Sequence, residues 1–337
     1  MARILITGAA GFIGSQLGKA LADRGDEVIL VDNLRYGHLD NLIFDGQTFG
    51  RFHCVDIRDP RFAPLCEGVD TLIHLAGISA LPVCQEDPCE AYSCNVAGVG
   101  SVLEAARQHN VGRVIFASTS ATYEMTEGER LSEDMPIAPN LVYAMTKAAA
   151  EKLCDGFAYN YGMDILSCRF FNVYGPHQDI LRTSPPFTSY VAREVALDRR
   201  PRLFNRTDSR RDYVHSSDLI RLLTLMIDSD GHFSGDRFNI CSGKGHSVPE
   251  LFEMFRQVSG KDVEPEWADP QAFWEKYPAL YASEYPLHSE RIAKEVHKNS
   301  VGDPTKTQAR FDWEPRMDIR EGIETVYRDA QRRFGCA

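Results

Sequence analysis

Apolar and polar positions along the first half of the chain repeat with two periods. Arg3-Ile-Leu-Ile6 is a short apolar run that reads as a buried strand, and Phe12, Ile13, Leu17 and Leu21 follow at helical spacing. Val28–Val31, Phe52–Val55, Thr71–Leu75, Val114–Ala117 and Asp164–Phe170 predict further strands. Between them, helices are expected from about Pro88 to His109, with Ala97, Val102, Leu103 and Ala106 on the apolar side, and from about Asn140 to Tyr161. Strand alternating with helix predicts an α/β fold, a parallel sheet wound on both faces, with ligands beyond the carboxyl ends of its strands.

The pattern loosens after Phe170. Phe171–His177 reads as turns, Thr188–Leu197 as helix, Arg211–His215 as strand, and Ser216 or Ser217 caps a helix to about Ile227. A strand at Arg237–Ile240 and helices at Val248–Ser259 and Ile319–Phe334 follow. This predicts a doubly wound domain over 1–170, to which segments at about 211–240 return, and a smaller C-terminal domain over 171–337. Trp267, Phe273, Trp274, Tyr277, Tyr281 and Tyr285 crowd into 264–290, which reads as a local packing cluster or as a lid or oligomer contact.

Composition narrows the partners. A formal charge of −11 over 337 residues leaves no basic footprint, so no nucleic acid is expected. An anionic nucleotide would need arginines concentrated locally, and two segments, Arg199 to Arg202 and Arg206 to Arg211, are rich in them. With no apolar run of about 18 residues and no signal-peptide pattern, no membrane partner is expected and the cytosol is the expected compartment. Nine cysteines suit a reducing compartment. Cys84, Cys89 and Cys94 recur at intervals that match no common zinc site, so no metal is expected and they read as small, buried or half-buried side chains.

The candidate chemistry begins at the first turn. Gly8, Gly11 and Gly14 lie between the first strand and the first helix, where unpaired backbone N–H groups and the positive end of the helix dipole can receive a pyrophosphate. Asp32, at the end of the second strand, can accept hydrogen bonds from an adenosine ribose and would repel a 2′-phosphate, which favours NAD over NADP; Arg35 works against that preference. Tyr143 and Lys147 are four apart and share a helix face. An ammonium about 4 Å from a phenolate is worth about 4 kcal/mol at an effective dielectric of 20, so Lys147, with an oxidised nicotinamide adding to its field, is expected to acidify Tyr143 into a general base. Thr119, at a strand end, can bridge the same substrate oxygen.

These residues sit in a longer series: Thr7-Gly8-Ala-Ala-Gly11-Phe-Ile-Gly14, Asp32-Asn-Leu34, Asp56-Ile57, His74-Leu-Ala-Gly77, Asn95 with Gly98, Ser118-Thr119-Ser120, Tyr143 with Lys147, Arg169-Phe-Phe-Asn-Val-Tyr-Gly-Pro176, Arg211-Asp-Tyr-Val-His215 and Asp303-Pro-Thr-Lys306. The series resembles the extended short-chain dehydrogenase/reductases, of the nucleotide-sugar epimerase/dehydratase kind, nearly end to end. The resemblance implies a Rossmann domain over 1–170 and a mainly substrate-binding region over 171–337. It implies NAD at Gly8, Gly11, Phe12, Ile13, Gly14, Asp32, Asn33, Asp56, Ile57, Leu75, Ala76, Gly77, Tyr143 and Lys147, with Asn95 among the cofactor residues as one that helps order the site. Thr119, Tyr143 and Lys147 would handle the proton, and Ser79, Ser120, Asn172 and Arg211 would contact the substrate, a nucleoside-diphosphate sugar, most simply a UDP-sugar. A homodimer through the helices at 88–109 and 140–161 is also implied.

Departures from the family pattern point to the reaction. Ser120 and Ala121 occupy the places of the Asp and Glu that dehydratases use, and Ala121 that of the Glu of the decarboxylases. Glu124, where glycine is usual, is the nearest replacement. The second substrate arginine has no clean counterpart, with Arg291 and Lys294 as candidates. The expectation is a nucleotide-sugar 4-epimerase working through a 4-keto sugar, on a UDP-glucose, UDP-N-acetylglucosamine or UDP-hexuronate type of substrate; dehydration or decarboxylation from the same C4 oxidation is the alternative. A silent NAD-binding regulator would not need both Tyr143 and Lys147.

Overall fold

In the computed structural model, which describes residues 1–335, strands β1 (Arg3–Thr7), β2 (Glu27–Asp32), β3 (Arg51–Cys54), β4 (Thr71–His74), β5 (Arg113–Thr119) and β6 (Ile165–Phe170) are followed by β7 (Asn172–Tyr174), β8 (Arg211–His215), β9 (Asp236–Ile240) and β10 (Gly245–His246). The main sheet has the order β9-β6-β5-β4-β1-β2-β3, parallel throughout. Its order reverses between β1 and β4, the point at which a doubly wound sheet leaves a crevice at its carboxyl edge.

The strands are apolar on both faces because helices cover both. Ile4 and Ile6 of β1 pack with Leu17 and Leu21 of helix α1 (Phe12–Arg24), while Leu5 between them packs with Val102 and Leu103 of α2 (Gly98–Gln108) and with Ala150 and Cys154 of α3 (Val142–Tyr161). Leu219, Leu222 and Leu223 of α4 (Ser216–Asp228) join the α1 side. Each leucine buried this fully contributes about 1.5–3 kcal/mol.

Three elements depart from the sequence reading. The helix expected from Pro88 to His109 is interrupted by a π turn over Ser93–Ala97, which brings Asn95 inward, 1 % exposed. The segment taken as turns holds β7, which pairs with β8 in a small sheet completed by β10. Segment 211–240 therefore divides by sheet: β8 pairs in the small sheet and β9 in the main one, while Val214 of β8, the leucines of α4 and Phe238 of β9 all pack into the main core. The helices Phe187–Ala196, Val248–Ser259 and Ile319–Phe334 form a separate core around Val191, Val195, Phe255, Val326 and Tyr327. Cys84 is buried and Cys94 half-buried, but Cys89 is exposed. Among the described residues no helix is long and apolar enough to cross a membrane.

Candidate active site

The turn after β1 is shaped by what its glycines exclude. Gly8 has φ +70°, and a Cβ there would lie 2.7 Å from the Ala76 backbone nitrogen, against the end of β4. At Gly14 a Cβ would meet the Gly8 carbonyl oxygen and, at 2.8 Å, Ala9 Cα. The turn thus presses α1 onto the sheet, and the helix begins at Gly11 with no side chain capping its first N–H groups. Asp32 stabilises the same turn, since Oδ2 accepts from Ala10 N at 3.0 Å and Oδ1 from Leu34 N at 2.8 Å. Burial raises its pKa above the usual aspartate value.

A cavity of about 760 Å³ opens from this turn along the carboxyl ends of the strands. Its wall includes Gly8, Gly11, Phe12, Ile13, Gly14, Asp32, Asn33, Asp56, Ile57, Leu75, Ala76, Gly77 and Ser79 on one side, and Thr119, Tyr143, Lys147, Asn172 and Arg211 on the other. Two expected contacts stand outside it. Asn95 lies behind the wall, where Oδ1 accepts from Ile78 N at 2.8 Å and Nδ2 donates to Ile78 O and Thr146 Oγ1, so it orders the loop after β4 instead of lining the cavity. Ser120 opens a 3-10 turn that leads away from the cavity.

Tyr143, Thr119 and Lys147 meet because β5 ends where α3 begins. Thr119 Oγ1 accepts from Ala121 N at 3.1 Å, which leaves its own proton free to turn toward the Tyr143 phenol, whose pKa it lowers. Lys147 Nζ donates to Ala117 O at 2.7 Å and lies 4.8 Å from the centre of the Phe116 ring. Burial lowers its pKa to about 8, so it remains mostly protonated at neutral pH with two donors unspent. The expected acidification of Tyr143 by Lys147 is not what the protein does on its own. Burial pushes the phenol up to about 12, the Thr119 hydrogen bond works against this, and the cation that lowers it most is Arg182. One Lys147 donor goes to the Ala117 carbonyl, one helical turn beyond the phenol. His74, stacked on Phe116 and bonded through Nδ1 to Thr7 Oγ1, is held neutral by burial, its pKa near 3.

Arg211 projects into the cavity from β8 and is steadied by the carbonyls of Glu295, at 2.6 Å, and Val296. Asn172 Nδ2 donates to Asp212 O at 2.8 Å. Neither candidate for the second arginine reaches the wall: Arg291 bonds Asn140 Oδ1, and Lys294 pairs with Glu290 at the surface. The helix Ser289–His297 turns Glu295 and Val296 inward instead. The cations that the sequence reading missed there are Arg182, Arg193 and Lys276, with Arg202 from one of the arginine-rich segments. Arg182 gives Nε to Ser184 O at 2.7 Å and forms no ion pair within 4 Å among the described residues.

The aromatic segment forms a small core and a cavity wall at once. Trp274, Tyr277 and Leu280 pack with Leu141 at the start of α3, while Pro270, Phe273, Trp274 and Lys276 face the cavity. Tyr277 OH and Ser184 Oγ, 2.6 Å apart, tie it to the Arg182 loop.

Fold and cavity together define a Rossmann-type α/β protein with its cleft at the sheet's switch point. Residues 4–241 match the NAD dependent epimerase/dehydratase family, and the chain belongs to that family. It is 33 % identical over 313 residues to a UDP-glucose 4-epimerase of Halalkalibacterium halodurans, spanning 82 % of this chain and 92 % of the relative. A UDP-glucose 4-epimerase of Thermotoga maritima solved with UDP-glucose superposes with a TM-score of 0.85 at 26 % identity, over 98 % of this chain and 99 % of that one. The Thermus thermophilus UDP-glucose 4-epimerase in complex with NAD gives 0.81 at 30 % identity, over 98 % and 99 %.

Proposed function

We propose that the protein is an NAD-dependent UDP-sugar 4-epimerase, with Tyr143 as the base on the sugar O4. The observation that carries this reading is one cavity that joins the glycine turn to Thr119, Tyr143, Lys147 and Arg211, with Ser120 and Ala121 following Thr119. The turn suits a dinucleotide: Gly8, Gly11 and Gly14 present no Cβ, its helix N-terminus is uncapped, and Asp32 closes the ribose end. When bound, NAD supplies the acceptor that takes a hydride from C4 and gives it back, and a positive ring beside the phenol.

Tyr143 accepts the O4 proton as the C4–H bond breaks and returns it once the 4-keto sugar has turned over in the cavity. Thr119 holds the phenol and relays the proton. Lys147 keeps its positive charge at neutral pH and orients ribose hydroxyls through its two unspent donors. Arg211 anchors the diphosphate through a planar fork that matches phosphate oxygens, so the sugar pivots while the nucleotide stays. Lyase chemistry requires an acid beside Thr119, and neither Ser120 nor Ala121 is one. The Glu124 carboxylate is committed to the N–H groups of Asn140 and Leu141, and is not part of the cavity wall.

The same reading places the enzyme in the cytosol as a homodimer; Tyr92 and Met145, exposed by 42 % and 41 % on the helices that would pair, support the dimer. Arg211→Met is expected to raise KM for UDP-glucose by about 10- to 150-fold, the worth of about 1.5–3 kcal/mol of charge-assisted hydrogen bonding, with a smaller change in kcat. Steady-state kinetics of the purified variant check this, and an unchanged KM removes Arg211 from the diphosphate site. The reading as a whole is tested by incubating the protein with UDP-glucose and with UDP-glucuronate: a C4-inverted product of unchanged mass supports it, and loss of water from the first or of carbon dioxide from the second sinks it.

A further inference from the structure

Glu124 occupies a position where the family pattern has glycine, and its carboxyl group is buried, with 1 % of the side chain exposed. Oε2 accepts from the N–H groups of Asn140 and Leu141, each at 2.9 Å, at the entrance to α3, whose N-cap Leu141 offers no side chain of its own. Oε1 is buried without a hydrogen-bond partner and faces Lys298 Nζ at 3.6 Å. Lys298 is 2.6 Å from Glu295 Oε2, and Glu295 Oε1 is 3.6 Å from Arg211 Nη1. A line of charge therefore runs from Arg211, on the cavity wall, to the start of the helix that carries Tyr143 and Lys147.

Within this line two carboxyl groups share Lys298, and Arg211 supports only one of them. Glu295 is held below the usual glutamate value by Lys298 and Arg211. Glu124 is the weaker acid: burial and the Glu295 charge push it up to about 7, against Lys298 and the two backbone N–H groups. The groups that face it are Lys298 and Glu295 from the segment 289–298 and Tyr143 from α3, and the Glu124 charge opposes ionisation of the Tyr143 phenol.

We propose that Glu124 is a positioning residue that couples seating of the substrate diphosphate on Arg211 to a proton on its own carboxyl, and so to the field at Tyr143. The inference rests on the reading of Arg211 as the diphosphate grip. Diphosphate oxygens that take the Arg211 fork leave Glu295 dependent on Lys298. Lys298 is then drawn off Glu124, and Glu124 Oε1 takes a proton from solvent. The neutral carboxyl still accepts from Asn140 and Leu141 through Oε2, so the helix entrance stays in place. The negative charge that hindered Tyr143 is gone once substrate is seated.

The coupling is read by calorimetry of UDP-glucose binding to the Tyr143→Phe holoenzyme at pH 7.5, in buffers of different ionisation enthalpy. The expected result is uptake of up to about one proton per site, and none when Glu124→Gln is added. In enzyme that keeps Tyr143, kcat/KM falls several-fold from pH 7 to pH 9 while kcat changes less, and Glu124→Gln flattens that fall. Glu124→Ala lowers kcat at every pH, because Asn140 N and Leu141 N lose their acceptor. Binding without uptake, equal uptake in the Gln variant, or a pH profile that the Gln variant shares with the parent overturns the coupling alone. Failure to bind UDP-glucose, or equal binding by Arg211→Met, overturns the diphosphate reading and the coupling with it.

Discussion

Tyr143→Phe lowers kcat by about 10²–10⁴-fold, or about 3–5 kcal/mol of barrier, while KM for UDP-glucose and the bound NAD content stay close to those of the parent. The phenol is the group placed to take the O4 proton, and the ring that remains still fills its place on α3, so the loss falls on the chemical step. Its high pKa in the protein alone sharpens the prediction. A base near 12 is protonated at neutral pH, and each unit of lowering requires about 1.4 kcal/mol of added positive field. Arg182 already contributes to that value, so the added field comes from the occupied site, and kcat at saturating UDP-glucose should rise modestly with pH through the neutral range while the fall expected from Glu124 is carried by kcat/KM. Steady-state rates across pH check both statements, and a loss under about tenfold would place the base elsewhere.

Arg169→Met destabilises the fold by about 3–5 kcal/mol, because it leaves Glu151 as a buried carboxylate without its main partner. Arg169 gives Nε to Glu151 Oε1 at 2.9 Å and Nη2 to Oε2 at 2.7 Å, with side chains 3 % and 1 % exposed. Ser118 donates to the same carboxylate, and Arg237 adds a weaker bond at 3.1 Å. The cluster ties α3 to β5, β6 and β9, so it also sets where Tyr143 and Lys147 stand relative to Thr119. The double change Arg169→Met with Glu151→Met is expected to recover most of the loss, since replacing both charges removes the desolvation cost of each. Glu151 is held below its ordinary value of 4.5, so its share of stability is present above that pH and is lost as pH falls through the lowered value. Denaturant unfolding at pH 7 and pH 3 measures all three effects.

How far the site was legible depends on how local each part is. Gly8, Gly11, Gly14 and Asp32 announce themselves because a strand, a tight turn and a helix are written in consecutive residues. Tyr143 and Lys147 declare a shared helix face by spacing alone. What spacing could not give was the sign of the phenol's shift: the partner of Lys147 is a backbone carbonyl from β5, and burial of Tyr143 outweighs any nearby cation. Arg182, Lys276 and Glu295 reach the cavity from irregular loops or from a short helix whose facing is set by packing, so no periodicity marks them. Asn95 is legible as a residue that orders the cofactor site, but the π turn that aims it at Ile78 has no signature in the run of residues 93–97. The aromatic segment was read as packing or lid, and it is a core whose outer face is a cavity wall.

The central claim, that Tyr143 removes a proton from O4 while the C4 hydrogen is borrowed and returned, is tested most directly by proton NMR of UDP-glucose turned over in deuterated water. The account predicts UDP-galactose with inverted configuration at C4 and no deuterium on that carbon. Deuterium at C4, or a product lighter by water, would contradict it.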